Sequence, residues 1–191
     1  MQNKKEINGP SKEAETLFRS KYSAVYKHLL KFKEKLEKRN KAETGIRYEW
    51  YALQRWGANY LDDFSKRKIM YKDISQRLSF CLVPANYYCN NTVYFISDNP
   101  HLDFLLGCLN TNIVDWYYRT IAVQLGSKAV RMFSIYVNDL PIPYPSSDKE
   151  ENEMESLLKA ENYSGIEALV RKCYGLTPEE FEYIEKHYPI K

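Results

Sequence analysis

The chain has 191 residues, 44% of them hydrophobic, which is enough apolar mass to bury a core and excludes wholesale disorder. Net charge is only +3 but uneven: residues 11–47 hold eleven Lys/Arg against five Asp/Glu, residues 48–147 nine against eight, and residues 148–191 six against eleven. The cysteines (Cys81, Cys89, Cys108, Cys173) form no Cys-x-x-Cys pair, no apolar run approaches the ~18 residues of a membrane span and the N-terminus is polar with no apolar signal segment; neither a zinc site, a membrane span nor a secretory signal is expected, and the chain reads as a reduced, cytoplasmic protein.

The first predicted element is a helix from Ser11 to Arg39. Phe18, Tyr22, Val25, Leu29, Phe32 and Leu36 recur at helical spacing and form one apolar stripe, with Ser11 as a candidate N-cap and Glu13 and Glu15 in the first turn. Lysines 21, 27, 31, 35 and 38 fall on the other sides, where they can meet phosphates or stand as a solvated face. A polar break around Gly45 leads to Trp50, Tyr51 and Trp56, read as a short helix or turn whose rings anchor the next layer.

Strand signals follow at Lys68–Tyr71, Leu78–Leu82, Tyr87–Tyr88 and Thr92–Ile96, punctuated by Pro84 and the Asn90-Asn91 turn. Asp98-Asn99-Pro100 opens a long helix in which Leu102, Leu105, Leu106, Leu109, Ile113, Trp116 and Tyr117 build a wide buried stripe. Gly107 within that helix costs roughly 1 kcal/mol relative to Ala, so its small profile is expected to admit a close neighbour such as a crossing strand. Asn110-Thr111-Asn112 marks a kink, a buried hydrogen-bond cluster or a surface. A Gly-Ser-Lys loop, a further strand and the extended Leu140-Pro141-Ile142-Pro143 exit come next. Helices then run from Asp148 to Ala160 and from about Gly165 to Tyr174, followed by a stop-and-restart: Gly175 as left-handed cap, Thr177 as N-cap, Pro178 at the first position and Glu180 closing a capping box. The expected fold is α+β, an antiparallel or mixed sheet with packed helices, divided into an N-terminal helical segment 1–47, a core 48–147 and a C-terminal helical tail 148–191.

No catalytic constellation is present. The seven glycines are scattered, which leaves no Gly-rich loop to cradle a phosphate or nucleotide cofactor, and neither a nucleophile elbow nor a metalloprotease helix occurs. What remains is a binding inventory. Lys68, Tyr71, Lys72 and Arg77 punctuate the first strands; Asn90 and Asn91 add amides; Arg119, Gln124, Ser127, Lys128 and Arg131 surround Gly126. Arg and Lys neutralise phosphates or donate to guanine edges, and Asn and Gln pair with adenine. These eleven residues are the candidate DNA-binding set, with no catalytic and no metal residue beside them. The seventeen tyrosines, each with an apolar body and a polar tip, suit large, partly wet surfaces.

Several segments taken in order carry a resemblance: the lysine-rich helix ending Leu36-Glu37-Lys38-Arg39, Trp50-Tyr51-Ala52-Leu53, Lys68-Ile69-Met70, Tyr87 to Ile96, Leu105-Leu106-Gly107-Cys108-Leu109-Asn110-Thr111, Leu140-Pro141-Ile142-Pro143, and a tail with Ile166-Glu167-Ala168-Leu169-Val170 and Tyr174-Gly175-Leu176-Thr177. Together they resemble the TaqI-like specificity domain, the target-recognition domain at the C-terminal end of many adenine-specific DNA methyltransferases and type IIG restriction-modification enzymes. The resemblance implies that this chain reads double-stranded DNA in the major groove, with residues 48–147 as the target-recognition core. A partner methyltransferase domain of the parent protein would hold S-adenosylmethionine and the flipped adenine, no cofactor being expected in this chain. The alternative is a structural or protein-interaction module that uses the Tyr-rich surface and the acidic tail.

Overall fold

A computed structural model describes residues 12–39, 49–52, 60–126 and 128–187, which fall into two compact units, Met1–Ala58 and Asn59–Lys191. Ser11, Gly45 and Trp56 lie outside the described residues.

In the first unit the single expected helix is bent into three pieces: α1 (Lys12–Lys21), α2 (Ser23–Leu30) and α3 (Lys33–Glu37). The chain keeps helical hydrogen bonds through the bends, Tyr22 N donating to Phe18 O and Tyr26 N to Tyr22 O, both at 2.9 Å. The backbone departs from helical angles at Tyr22 (φ −129°, ψ 50°) and Phe32 (φ −113°, ψ 8°). The aromatic face packs as rings: Phe18 stacks on Tyr51 at 4.6 Å, and Tyr26 meets Trp50 edge-on at 5.8 Å. Glu15 accepts from both Trp50 Nε1 and Tyr26 Oη at 2.9 Å, bonds that hold its carboxyl below the usual range. Arg39 donates to the carbonyls of Trp50 (2.8 Å) and Ala52 (2.7 Å), closing the return segment onto the helix end.

The second unit has the expected α+β character, with antiparallel sheets. After α4 (Leu61–Phe64) come β1 (Lys68–Lys72), β2 (Ile74–Ser75), β3 (Phe80–Val83) and β4 (Val93–Ile96). Next are α5 (Leu102–Leu109), α6 (Asn112–Ile121), β5 (Gln124–Leu125), β6 (Ala129–Arg131) and α7 (Ser134–Asn138). The tail is α8 (Asp148–Lys159), α9 (Tyr163–Tyr174) and α10 (Pro178–His187). Among the described residues the strands form two three-stranded antiparallel sheets, ordered β3-β1-β4 and β2-β6-β5.

Alternation along β1 decides its two faces. Ile69 and Tyr71 point to the core, beside Phe80 of β3, and pack with Leu109, Val114 and Tyr118 of the helices. Burial pushes the Tyr71 phenol up to about 12. The opposite face carries Lys68, Met70 and Lys72. Over Lys68 and Met70 it is covered by α4 and by the link from β3 to β4, where Phe64 stacks on Tyr88 at 4.8 Å and touches Phe95 at 5.2 Å, and it is left open at Lys72.

Two expected elements change. Tyr87–Tyr88 is not a strand: β3 and β4 lie on opposite sides of β1 and both run antiparallel to it, so the link must travel back along the sheet rather than pair in it. The long helix is likewise two helices, broken at Asn110. Thr111 caps α6 by accepting from Val114 N, while Glu167 of α9 accepts from Asn112 N (2.9 Å) and Ile113 N (3.2 Å).

Gly107 does admit a close neighbour, but it is a helix and not a strand: an added Cβ would collide with Sδ of Met154 in α8. Met154 is fully buried in a second core with Phe104, Cys108, Ile166, Leu169 and Val170. In the tail the expected caps form. Gly175 sits at φ 66° with its N–H on Lys172 O; Thr177 N donates to Glu180 Oε2 (2.8 Å), and Glu180 N donates to Thr177 Oγ1 (3.2 Å). Among the described residues no helix is long and apolar enough to cross a membrane.

Candidate nucleic-acid interface

The two sheets meet at Asp73, the residue between β1 and β2. Its N–H donates to Thr92 O (2.9 Å) beside the first sheet, and its carbonyl accepts from Met132 N (2.7 Å) beside the second. Its carboxylate pairs with the guanidinium of Arg131 on β6. Arg131 also lies over the Phe133 ring at 5.2 Å, and its carbonyl accepts from Tyr118 Oη at 2.6 Å. Its position is therefore set from three sides.

The β5–β6 hairpin turns at Gly126, whose φ of 65° is the left-handed conformation that glycine adopts freely. Lys128 is exposed at the tip. Arg119, in the last turn of α6, braces this hairpin. It donates to Lys128 O (3.2 Å) and to Gln76 O beyond β2, and pairs with Asp115 one turn back at 3.2 Å. Asp115 is buried and lies 3.9 Å from Arg77 as well, so one carboxylate faces two guanidiniums. Arg77 is half exposed and donates to Asn112 Oδ1 at 3.0 Å. Gln124 reaches back to Arg119 O at 3.3 Å with its amide.

The structure thus gathers Arg77, Arg119, Gln124, Lys128 and Arg131 around the second sheet, and brings Lys72 to the end of β1 beside Asp73. Asn90 and Asn91 occupy the turn entering β4; Asn90 Oδ1 accepts from Thr92 N (3.2 Å) and Thr92 Oγ1 (2.7 Å), while Asn91 is exposed. Two expected contact residues are corrected by burial. Lys68 has no exposed surface: its ammonium donates to Phe64 O at 3.0 Å and lies 3.5 Å from Pro84 O. Tyr71 faces the core on the other side of β1. Neither has surface to offer a duplex. Ser127 lies outside the described residues.

Sequence reasoning missed Asp73 and Asp115, the acids that hold the arginines. The Asp115–Arg119 pair was legible as an i,i+4 spacing on a helix. Asp73–Arg131 spans 58 residues and had no local signal.

Residues 12–142 match the family model of the TaqI-like C-terminal specificity domain, and the chain belongs to that family. It is also similar to the type II methyltransferase M.MjaIV of Methanocaldococcus jannaschii, 26% identical over 152 residues, an alignment covering 76% of this chain and 49% of that protein. The chain therefore spans about half the length of the curated relative it matches.

Proposed function

We propose that this chain reads duplex DNA as the target-recognition part of a restriction-modification methyltransferase that modifies adenine. The observation that carries the reading is the family match joined to a cationic rim at the margins of two small sheets: Lys72 and Lys128, exposed, with Arg77 and Arg131 held beside Asp115 and Asp73. Lysines and arginines of the rim replace counterions along the phosphates, which gives salt-dependent affinity. Directed side chains then discriminate bases, each good bidentate pair contributing about 1–3 kcal/mol.

Transfer of the methyl group belongs, in this reading, to another region of the parent protein. S-adenosylmethionine would bind there, since the glycines of this chain are too scattered to build a nucleotide loop. The first unit supports such a partner: Leu17 and Val25 on its helices and Tyr22 and Phe32 at the breaks between them are large apolar side chains left exposed. A duplex held by both regions is gripped more tightly than by either, because the second contact is intramolecular.

Fluorescence anisotropy with a labelled random-sequence duplex at two salt concentrations tests the reading. Binding that weakens steeply with salt is the expected result; no binding at low salt overturns it.

A further inference from the structure

The link from β3 to β4, residues 84–92, is not explained by the cationic rim. It reads Pro84-Ala85-Asn86-Tyr87-Tyr88-Cys89-Asn90-Asn91-Thr92 and carries no charge, in a chain where 28% of residues are charged. It nonetheless presents two adjacent large rings to solvent, Tyr87 at 57% and Tyr88 at 67% exposure, together with exposed Asn91.

The loop is also held in shape. Asn86 adopts φ 66° with its N–H on Phe64 O at 2.7 Å. Beneath it the buried Lys68 ammonium ties to Phe64 O, and Tyr88 stacks on Phe64 with an interplanar angle of 27°. Asn90 folds its own amide oxygen onto Thr92, and Cys89 Sγ lies 3.7 Å from Val93 O. The Tyr88 ring, and the backbone that carries Tyr87 and Asn91, are fixed in this way and lose little conformational freedom on binding.

Its far end adjoins the rim. Thr92 O accepts from Asp73 N, and Val93 pairs with Lys72 in the ladder, so Asn91 stands one residue from the joint that holds Arg131. Cations suit phosphates; neutral donors, acceptors and ring faces suit base edges and the thymine methyl.

We infer that the β3–β4 link is the base-reading element of this interface, with Tyr87, Tyr88 and Asn91 addressed to base edges while Lys72 and Lys128 address phosphates. The inference rests on the duplex-reading function above and assigns its specificity to one loop.

The test is selection from a random-sequence duplex library by the full chain, with the bound fraction sequenced, for the wild type, Tyr87→Ala, Tyr87→Phe, Asn91→Ala and Lys72→Ala. Wild type is expected to enrich a motif. Tyr87→Ala and Asn91→Ala, which remove no charge, should lose about tenfold of preference at one or two positions while the salt slope stays that of the wild type. Tyr87→Phe, which keeps the ring and the fold, should lose only preferences that depend on the hydroxyl. Lys72→Ala should weaken binding to all sequences alike and leave the motif intact. Loop variants that enrich the wild-type motif unchanged overturn the inference, as does wild-type binding with no enriched motif. A wild type that binds no duplex overturns the functional reading itself, and the inference with it.

Discussion

The side chain of Asn110 pairs with the backbone of Phe80 as another strand would: its Oδ1 accepts from Phe80 N at 2.9 Å and its Nδ2 donates to Phe80 O at 3.0 Å. The amide matches a peptide group in shape and polarity, so it satisfies the exposed edge of β3 at the point where the helix α5 ends. The same break lets Thr111 and Glu167 cap α6. One polar triplet thus ties the first sheet, the α5–α6 pair and the tail helices together.

Asn110→Ala removes both bonds and leaves the Phe80 N–H without its partner. The expected loss is about 1–3 kcal/mol in urea-denaturation midpoint analysis. Asn110→Asp keeps an acceptor for the N–H but sets a carboxylate against the Phe80 carbonyl, so it should not restore the wild-type stability.

Arg119→Ala strips the hairpin brace and removes a partner from a buried carboxylate. Breaking such a pair costs about 3–5 kcal/mol when fully buried; Arg119 keeps 15% of its side-chain surface, so about 3 kcal/mol is expected. Faster amide exchange at Gln76, Lys128 and the β5–β6 turn should accompany the loss, whereas a brace acting elsewhere would leave those amides unchanged.

Gly126→Ala forces a Cβ into the left-handed region, although open space surrounds the site. The cost should be about 1 kcal/mol in a thermal melt, from backbone strain alone. Gly126→Asn should cost less, because Asn tolerates that conformation.

Lys72→Ala combined with Lys128→Ala should reduce the slope of log affinity against log salt by about 0.9 for each phosphate contact removed. Parallel anisotropy titrations check it, and an unchanged slope would show that neither lysine meets a phosphate.

Glu167 offers a pH-dependent readout. Burial raises its carboxyl above the ordinary glutamate value, outweighing the two N–H groups that it accepts. The folded state then holds the proton more tightly than the unfolded chain, so its contribution falls as pH rises from the ordinary value through the raised one. Glu167→Gln removes this titration. The stability difference, variant minus wild type, should therefore increase with pH across that window in chemical denaturation, and a flat difference would contradict it.

Much of the chain was legible because its signals are local. The restart at Gly175, Thr177 and Glu180 and the apolar stripes of α5 and α6 act within a turn or two of helix. The candidate rim was legible as a set of residue types, since Arg77, Lys128 and Arg131 stay close in sequence to the turns that present them. Lys68 reads as a surface cation because it continues the run Lys66-Arg67, of which Arg67 is exposed and pairs with Asp103 and Lys66 is half-buried and pairs with Asp98; nothing in that run says that a link from residue 84 onward will close over the start of β1.

By itself the sequence determined the caps of the tail helices and the apolar stripes of α5 and α6, which depend on backbone angles and on side chains at most four residues away. Only the tertiary structure decided which cations reach solvent, that Asp73 holds Arg131, and that Asn110 completes the edge of β3. Those outcomes turn on which strands become neighbours and on what path the chain takes between them. Burial and charge pairing are properties of that assembled surface, and no stretch of residues carries them alone.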